Sequence, residues 1–279
     1  MAQLLTDVND PKFSDYFIDK SINNVKGLSI PDRFVDIVSD PSNLLIPRVM
    51  NSGKVENNVI ILHNGIKVYN NCYYSEFSNI LKINGGCHEP SEERMFMEVL
   101  KYIPAGGTMI ELGSYWAFYT IWFNKMIKNA KNYCVEPDII CLQTGMKNCI
   151  LNNIIADFTH AFVGKGQLNV LSFVRDKNIE YIDILHSDIQ GYEMEMLEDI
   201  GRLLDECKIR YLFISTHSDK LHYDAVDFLK AHNYRIIASA DCDTETFCYD
   251  GIIVACHSSN MDIPCISLGN RKHTKLRKI

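Results

Sequence analysis

Residues 108–120, TMIELGSYWAFYT, limit what this chain can become more than any other stretch. Met109 to Leu112 reads as a short buried strand, Gly113 and Ser114 as a turn, and the apolar run after them as a helix. A strand that ends in an acid and a glycine and feeds a helix offers unpaired N–H groups, at a point where backbone can approach a ligand closely. A second acid, Glu136 in KNYCVEP, falls where the next strand should end. In a Rossmann-like unit, an acid about 20 residues past the first turn is the one that grips ribose hydroxyls.

The stretch is poor in glycine. Ser114, Tyr115, Trp116 and Ala117 follow Gly113, so the dinucleotide signature G-x-G-x-x-G is missing. Backbone contact with a pyrophosphate is not expected, and a nucleoside ligand without phosphates fits better. S-adenosylmethionine is the commonest such cofactor.

The rest of the chain supports an α/β reading. Residues 90–102, PSEERMFMEVLKY, predict a helix that Ser91 can cap, with Glu92 and Glu93 in its first turn. Residues 116–127 predict the helix after the central turn, and 132–136 the second strand. The helix opened by Pro137 is expected to bury Ile140, Leu142 and Met146. Further strands are expected at 158–163, 181–188, 209–216, 234–239 and 251–256, with helices at 192–204 and 223–231. Strands alternating with helices predict a mostly parallel sheet covered on both faces. Ligands of such sheets bind beyond the carboxyl ends of the strands.

Upstream, VIILHNGIKVY at 59–69 predicts a β-hairpin turning at Asn64 and Gly65, with His63 a turn residue. Residues 1–58 read as irregular helical structure, with amphipathic pieces at 13–18 and 33–38, that packs on the main domain, mediates self-association or closes over a substrate.

Composition narrows the function classes. The net charge of −7 argues against nucleic acid as a partner. The one basic block, RKHTKLRK at 271–278, is expected to be a solvated tail. Ten cysteines without a C-x-x-C pair read as reduced thiols, several of them inside apolar runs (Cys134, Cys149, Cys256). The opening MAQLLTDVND has no basic or long apolar region of a signal peptide, and no run is long enough to span a membrane. A soluble, cytoplasmic protein without a membrane partner is expected.

The strand-end rule puts Glu111, Leu112, Gly113, Ser114, Glu136, Asp188, Gln190, Gly191, Thr216 and His217 along one rim, with Tyr115 and Pro137 next to them as further candidates for cofactor binding. Its densest polar part is HSDIQGYE at 186–193. There Glu193 complements a helix dipole, while Asp188, at the end of an apolar strand, needs a partner or a substrate. An aspartate beside His217 supports two chemistries. Asp188 can orient His217 as a general base, or both can hold a divalent cation, with Asp250 as a third ligand if the last strand lies beside the fifth.

The ordered set HEPSEE, IELGSYWAFYT, CVEPD followed by NCILNN, DILHSDIQGYE, FISTHS and YDGIIVA resembles the FkbM family of S-adenosylmethionine-dependent methyltransferases, over residues 89 to 256. The resemblance implies the class I methyltransferase Rossmann-like fold, a seven-stranded sheet with the last strand antiparallel. It implies a methyltransferase domain at 89–257, an N-terminal extension with the hairpin at 1–88, and a basic tail at 258–279. It also implies methylation mainly of oxygen, on sugars and small natural products. By position, Glu111 and Gly113 would line the methionine part of the cofactor, Glu136 would hold the ribose, and Asp188 would sit near the sulfonium and the acceptor. Two departures stand out: Tyr115 and Ala117 replace the usual glycines, and Gln190 stands where an acid is common. The rival readings are an NAD-dependent dehydrogenase, which leaves the missing glycines unexplained, and a methyltransferase-like domain that binds without chemistry.

Overall fold

Strand alternation decides where every side chain of the central sheet goes. The computed structural model describes residues 28–70, 72–73, 75–164 and 166–273. It opens with α1 (Ile30–Ser39), whose N-terminus is capped by Ser29, and a three-stranded antiparallel sheet of β1 (Val55–Glu56), β2 (Val59–Ile61) and β3 (Lys67–Tyr69). Next come α2 (Asn79–Ile83), α3 (Pro90–Leu100), β4 (Thr108–Leu112), α4 (Phe118–Met126), β5 (Lys131–Glu136), α5 (Ile139–Leu151) and β6 (Asp157–His160). The second half runs α6 (Val170–Asp176), β7 (Ile182–Ser187), α7 (Glu193–Asp205), β8 (Ile209–Thr216), α8 (Asp219–Ala231), β9 (Tyr234–Ala240) and β10 (Gly251–His257). The piece expected at 13–18 lies outside the described residues.

The large sheet has the order β6-β5-β4-β7-β8-β10-β9. All its pairs are parallel except those of β10, which runs antiparallel to β8 and β9. This is the class I methyltransferase arrangement: α/β, seven strands, mostly parallel, the last one reversed. Alternate residues feed two cores. Met109, Ile184, Tyr211 and Phe213 face the core shared with α3 and α4. Ile110, Leu112, Leu185 and Leu212 face the core shared with α6, α7 and α8. Helix α7 buries Met196, Leu197, Ile200 and Leu204 completely, each worth about 2 kcal/mol of apolar transfer.

The hairpin is docked by asparagines. From α5, Asn148 accepts the Tyr69 N–H (3.1 Å), and Asn152 both accepts the Lys67 N–H (3.1 Å) and donates to the Lys67 carbonyl (2.6 Å). Asn148 also donates to the Trp116 carbonyl (3.1 Å), tying the hairpin's support to the turn after β4.

Several local expectations need correction. Helix α5 buries Leu142, Gly145, Asn148 and Cys149, whereas Ile140 and Met146 are exposed. Apolar residues surround that helix, so periodicity alone could not choose its buried face. Ser91 does not cap α3; its hydroxyl donates to Asp40 (2.5 Å), and Glu93 accepts the His88 and Glu89 N–H groups instead. His63 is no plain turn residue: it is buried, with Nε2 2.8 Å from Glu93. Arg271 does not belong to a solvated tail, because Asp36 holds its Nε at 3.0 Å in a buried pair. No helix among the described residues is long and apolar enough to cross a membrane.

Candidate active site

Gly113 sits at φ +74°, and a Cβ there would lie 1.8 Å from the Asp188 carbonyl oxygen. Its freedom is therefore needed for the close approach of β7's end, rather than for a ligand. Gly113 and Ser114 both donate to the Val135 carbonyl (2.9 and 3.0 Å). Tyr115 (φ 43°) and Ala117 (φ 62°) adopt the left-handed conformation that favours glycine. The Tyr115 N–H donates to Glu136 (2.9 Å), and the other oxygen of Glu136 accepts the Asp138 N–H (2.9 Å). Glu136 thus clamps the loops after β4 and β5 while still lining a cavity. Burial pushes its carboxyl up, against those two N–H bonds.

The other half of the rim is held by side-chain charge. Register places Gly251 opposite Thr216, so Asp250 does lie beside His217. The His217 Nε2 is 3.2 Å from Asp188 and 3.5 Å from Asp250, and its Nδ1 is 3.0 Å from Glu193. Burial pushes this imidazole down, but the hydrogen bonds to Asp188 and Glu193 and the charge of Asp250 outweigh it and raise it to about 10. His217 is therefore an imidazolium at neutral pH. Glu193 is fully buried and also accepts the Ile189 and Gly191 N–H groups (3.1 and 3.3 Å). Asp188 further accepts from the Gln190 amide (2.9 Å). Burial and the charge of Asp188 push Asp250 up to about 7.

Two cavities of about 240 Å³ each meet on this rim. One is lined by Glu136, Pro137, Asp138, Cys141, Phe162 and Val163. The other has an aromatic wall of Tyr73, Phe77, Tyr115, Trp116, Tyr119 and Tyr249, with Glu89, Glu111 and Asp250 among its polar groups. Gly113, Tyr115, Asp188 and Gln190 line both, and so form the neck between them. Ser114 is buried on the wall of the second, its hydroxyl without a hydrogen-bond partner.

Beneath the aromatic cavity lie consecutive glutamates of α3. Glu93 meets His88 (2.7 Å) and His63 (2.8 Å). Burial would push His88 down and Glu93 up, but the charges of Glu89 (3.3 Å away) and Glu93 raise His88, and those of His88 and His63 lower Glu93, leaving an ion pair. Glu92 meets His186 at 2.6 Å, and there burial wins, pushing Glu92 well up and His186 down into a neutral pair. Glu89 accepts from the Tyr119 hydroxyl (3.1 Å) and is raised to about 8, by burial first and then against the charge of His88. Glu111 accepts the Thr120 N–H (3.0 Å) and is pushed by burial to about 7.

The predicted rim residues separate as follows. Glu111, Gly113, Ser114, Tyr115, Glu136, Pro137, Asp188 and Gln190 all line one cavity or both. Leu112 does not: strand alternation turns it into the opposite core. His217 does not line either cavity but stands behind Asp188 and Asp250. With its proton on and its nitrogens facing carboxylates, it is not the resting general base expected of it. Asp188, His217 and Asp250 do come together, their ligand-type atoms within 4.8 Å. In the ligand-free site the imidazolium balances the carboxylates. Sequence reasoning missed the aromatic wall. The helix that follows Glu89 puts that acid and Glu92 near the cofactor end of the sheet, where helix capping would explain them, and the structure puts Glu89 on the cavity.

Residues 157–236 match the Methyltransferase FkbM domain, which bears out the family resemblance over β6 to the start of β9. Among solved structures, M. capricolum TrmK in complex with S-adenosyl-homocysteine is 21% identical, with 58% of this chain and 67% of that chain covered and a TM-score of 0.41. A Streptococcus agalactiae protein of the NADB-Rossmann superfamily is 20% identical over 58% and 67%, with a TM-score of 0.40. An S-adenosylmethionine-dependent methyltransferase from Aquifex aeolicus is 14% identical over 59% and 88%, with a TM-score of 0.40. No curated protein matches the chain.

Proposed function

We propose that this chain transfers a methyl group from S-adenosylmethionine to a hydroxyl of a saccharide or small natural product. The observation that carries the reading is the neck: two cavities of different chemistry joined through Gly113, Tyr115, Asp188 and Gln190. A group-transfer enzyme with two substrates needs that arrangement, because both must reach one point while each keeps its own pocket. The residues present fit the cofactor. Glu136 stands on the first cavity at the end of β5, where a ribose would be gripped, and the unpartnered Ser114 hydroxyl and Glu111 stand on the second. When bound, S-adenosylmethionine supplies a methyl group already activated on a sulfonium.

What remains for the protein is to orient the acceptor, exclude water and take a proton. Aromatic rings with carboxylates between them suit a sugar, whose C–H faces pack on rings and whose hydroxyls donate to carboxylates. Asp188, at the neck, accepts the acceptor's proton. His217, an imidazolium between Asp188, Asp250 and Glu193, fixes that carboxylate and steadies its charge. His217 is thus a positioning residue. The pair assists deprotonation with its roles exchanged relative to the sequence expectation.

Calorimetric titration with S-adenosylhomocysteine, repeated on Glu136→Ala, tests the reading. Micromolar binding that falls at least about tenfold in the variant is expected. No binding by the native protein would remove the methyltransferase assignment. Binding without turnover on any hydroxyl acceptor would favour the non-catalytic rival.

A further inference from the structure

The aromatic cavity is one-sided in charge. Glu89, Glu111, Asp188 and Asp250 line it, and no lysine or arginine is among the described residues that do. One imidazolium stands in the wall itself, His88, already held by Glu93 (2.7 Å) and Glu89 (3.3 Å), and two further cations stand outside it. His217 lies behind Asp188 and Asp250 and is already shared among three carboxylates. Arg33 stacks on Tyr249 at 4.4 Å and faces Asp36 at 3.5 Å, fully buried under that ring. In the same wall, Phe77 and Tyr249 meet edge to face at 4.9 Å, and Tyr73 packs on Trp116 at 5.4 Å. The ring faces and the acids are close enough to act on one another. Burial first, then the charges of Glu89, Asp250 and Asp188, push the Tyr73 hydroxyl well up. The unpartnered Ser114 hydroxyl on the same wall independently marks this space as one built for a ligand.

Neutral sugars do not require so many acids. A ring wall supplies attraction to a cation through its π-faces, and buried carboxylates supply the counter-charge. An anionic acceptor would face the opposite: several carboxylates, and among the described residues of the wall one imidazolium, His88, already taken up by Glu93 and Glu89. The cofactor brings one net positive charge, fewer than the acids that line the space.

We propose that the acceptor carries a cationic nitrogen, as an amino sugar or amino alcohol does, seated against Tyr73, Phe77 and Tyr249 with Glu89 and Asp250 as its counter-ions. The proposal rests on the methyltransferase reading for the word acceptor, but the charge preference of the cavity stands apart from it. Phosphorylated and acidic sugars are excluded on the same grounds. Glu89 and Asp250, each raised by burial among other acids, settle as carboxylates once such a cation arrives.

Binding to the full chain, saturated with S-adenosylhomocysteine, tests this with charge-matched pairs followed by saturation-transfer NMR. Choline is compared with its uncharged isostere, in which carbon replaces nitrogen. Glucosamine is compared with glucose, and a hexose phosphate serves as the anionic arm. Each cation should bind about tenfold more tightly than its neutral twin, and the hexose phosphate least of all. Asp250→Asn and Tyr249→Leu should each erase most of that preference, one through charge and the other through the ring face. A thermal melt of each variant reports whether it folded, and the native protein's own preference keeps the test alive if a variant fails. Equal affinity within each pair, tighter binding of the phosphate, or no binding of either cation would overturn the proposal. If S-adenosylhomocysteine itself does not bind, the methyltransferase reading falls separately, and the same series on the ligand-free protein still decides the charge preference.

Discussion

The two halves of the rim are built by different physics. Beside β4 and β5 the site is held by backbone: Glu136 clamps two N–H groups, and Gly113 makes room for a carbonyl. Beside β7, β8 and β10 it is held by charge, with one imidazolium bracketed by Asp188, Glu193 and Asp250. Backbone contacts persist across the pH range, whereas a charge cluster exists only where its protonation states do. The first half should therefore be rigid and indifferent to pH above the acidic range in which Glu136 titrates, and the second half conditional. A transfer site gains from that division, since the cofactor pocket keeps its shape while the acceptor side responds to what enters.

The largest effect should come from breaking the backbone half. Gly113→Ala places a methyl where the Asp188 carbonyl already sits and forces a left-handed backbone on a residue that disfavours it. Either β7 must shift or the turn must open. A loss of about 4 kcal/mol or more is expected in denaturant unfolding, together with S-adenosylhomocysteine binding. Near-native stability would mean that the β4 and β7 ends are not locked together as the structure has them.

An intermediate effect should come from the charged half, and its sign follows from His217. That imidazole is raised from an ordinary 6.5 to about 10 on folding. Its contribution is fully present below pH ~6.5 and is lost as pH rises through about 10. Asp250 and Glu89, raised to about 7 and 8, act in the same direction over the lower window, because ionising a buried acid costs more in the folded state. The ligand-free protein should therefore lose stability steadily from mildly acidic to alkaline pH, on the order of 2 kcal/mol from this cluster. His217→Gln should be destabilised most at the acidic end, with the gap to wild type closing toward pH ~10. Parallel pH profiles for the two proteins would show that His217 is not charged in the folded state. Glu136→Gln, on the other half, should change the profile only at the acidic end, where that raised carboxyl titrates, and leave the alkaline loss unchanged.

The same division explains how much of this molecule was legible in its sequence. Strand-and-helix alternation placed nearly every element of the large sheet, and the fifth strand matches Ile209–Thr216 residue for residue. Acid spacing placed Glu136, because a strand end and a fixed connection length suffice to locate it. Helix α6 (Val170–Asp176) went unanticipated, since seven residues hold barely two turns of any period. Polar clustering found Asp188 and His217 but not their roles. Which of the two carries the proton depends on Glu193, at the start of α7, and on Asp250, which arrives through β10's antiparallel return, a matter of topology. The aromatic wall was least legible. Its rings come from separate stretches around Tyr73, Trp116 and Tyr249, each of which reads locally as ordinary core.

The smallest expected effect probes a place where composition misled. Helix α5 supports the backbone half, and its pattern IICLQTGMKNCIL carries apolar residues on every side. Its structural contacts are asparagines to the hairpin and to the Trp116 carbonyl, not its isoleucines. Ile140 is 71% exposed, so Ile140→Gln removes almost no buried area and keeps a side chain well suited to a helix. A change within about 0.5 kcal/mol is expected, with unaltered S-adenosylhomocysteine affinity. Cys141, one residue on, lines the first cavity, and Asp138 caps the helix start, so the substitution sits beside the cofactor pocket without entering it. A loss of 2 kcal/mol or more, the size expected for a buried isoleucine, would mean that this face of α5 is covered. Loss confined to dilute protein would assign the cover to a second copy of the chain, and loss independent of concentration to the chain itself.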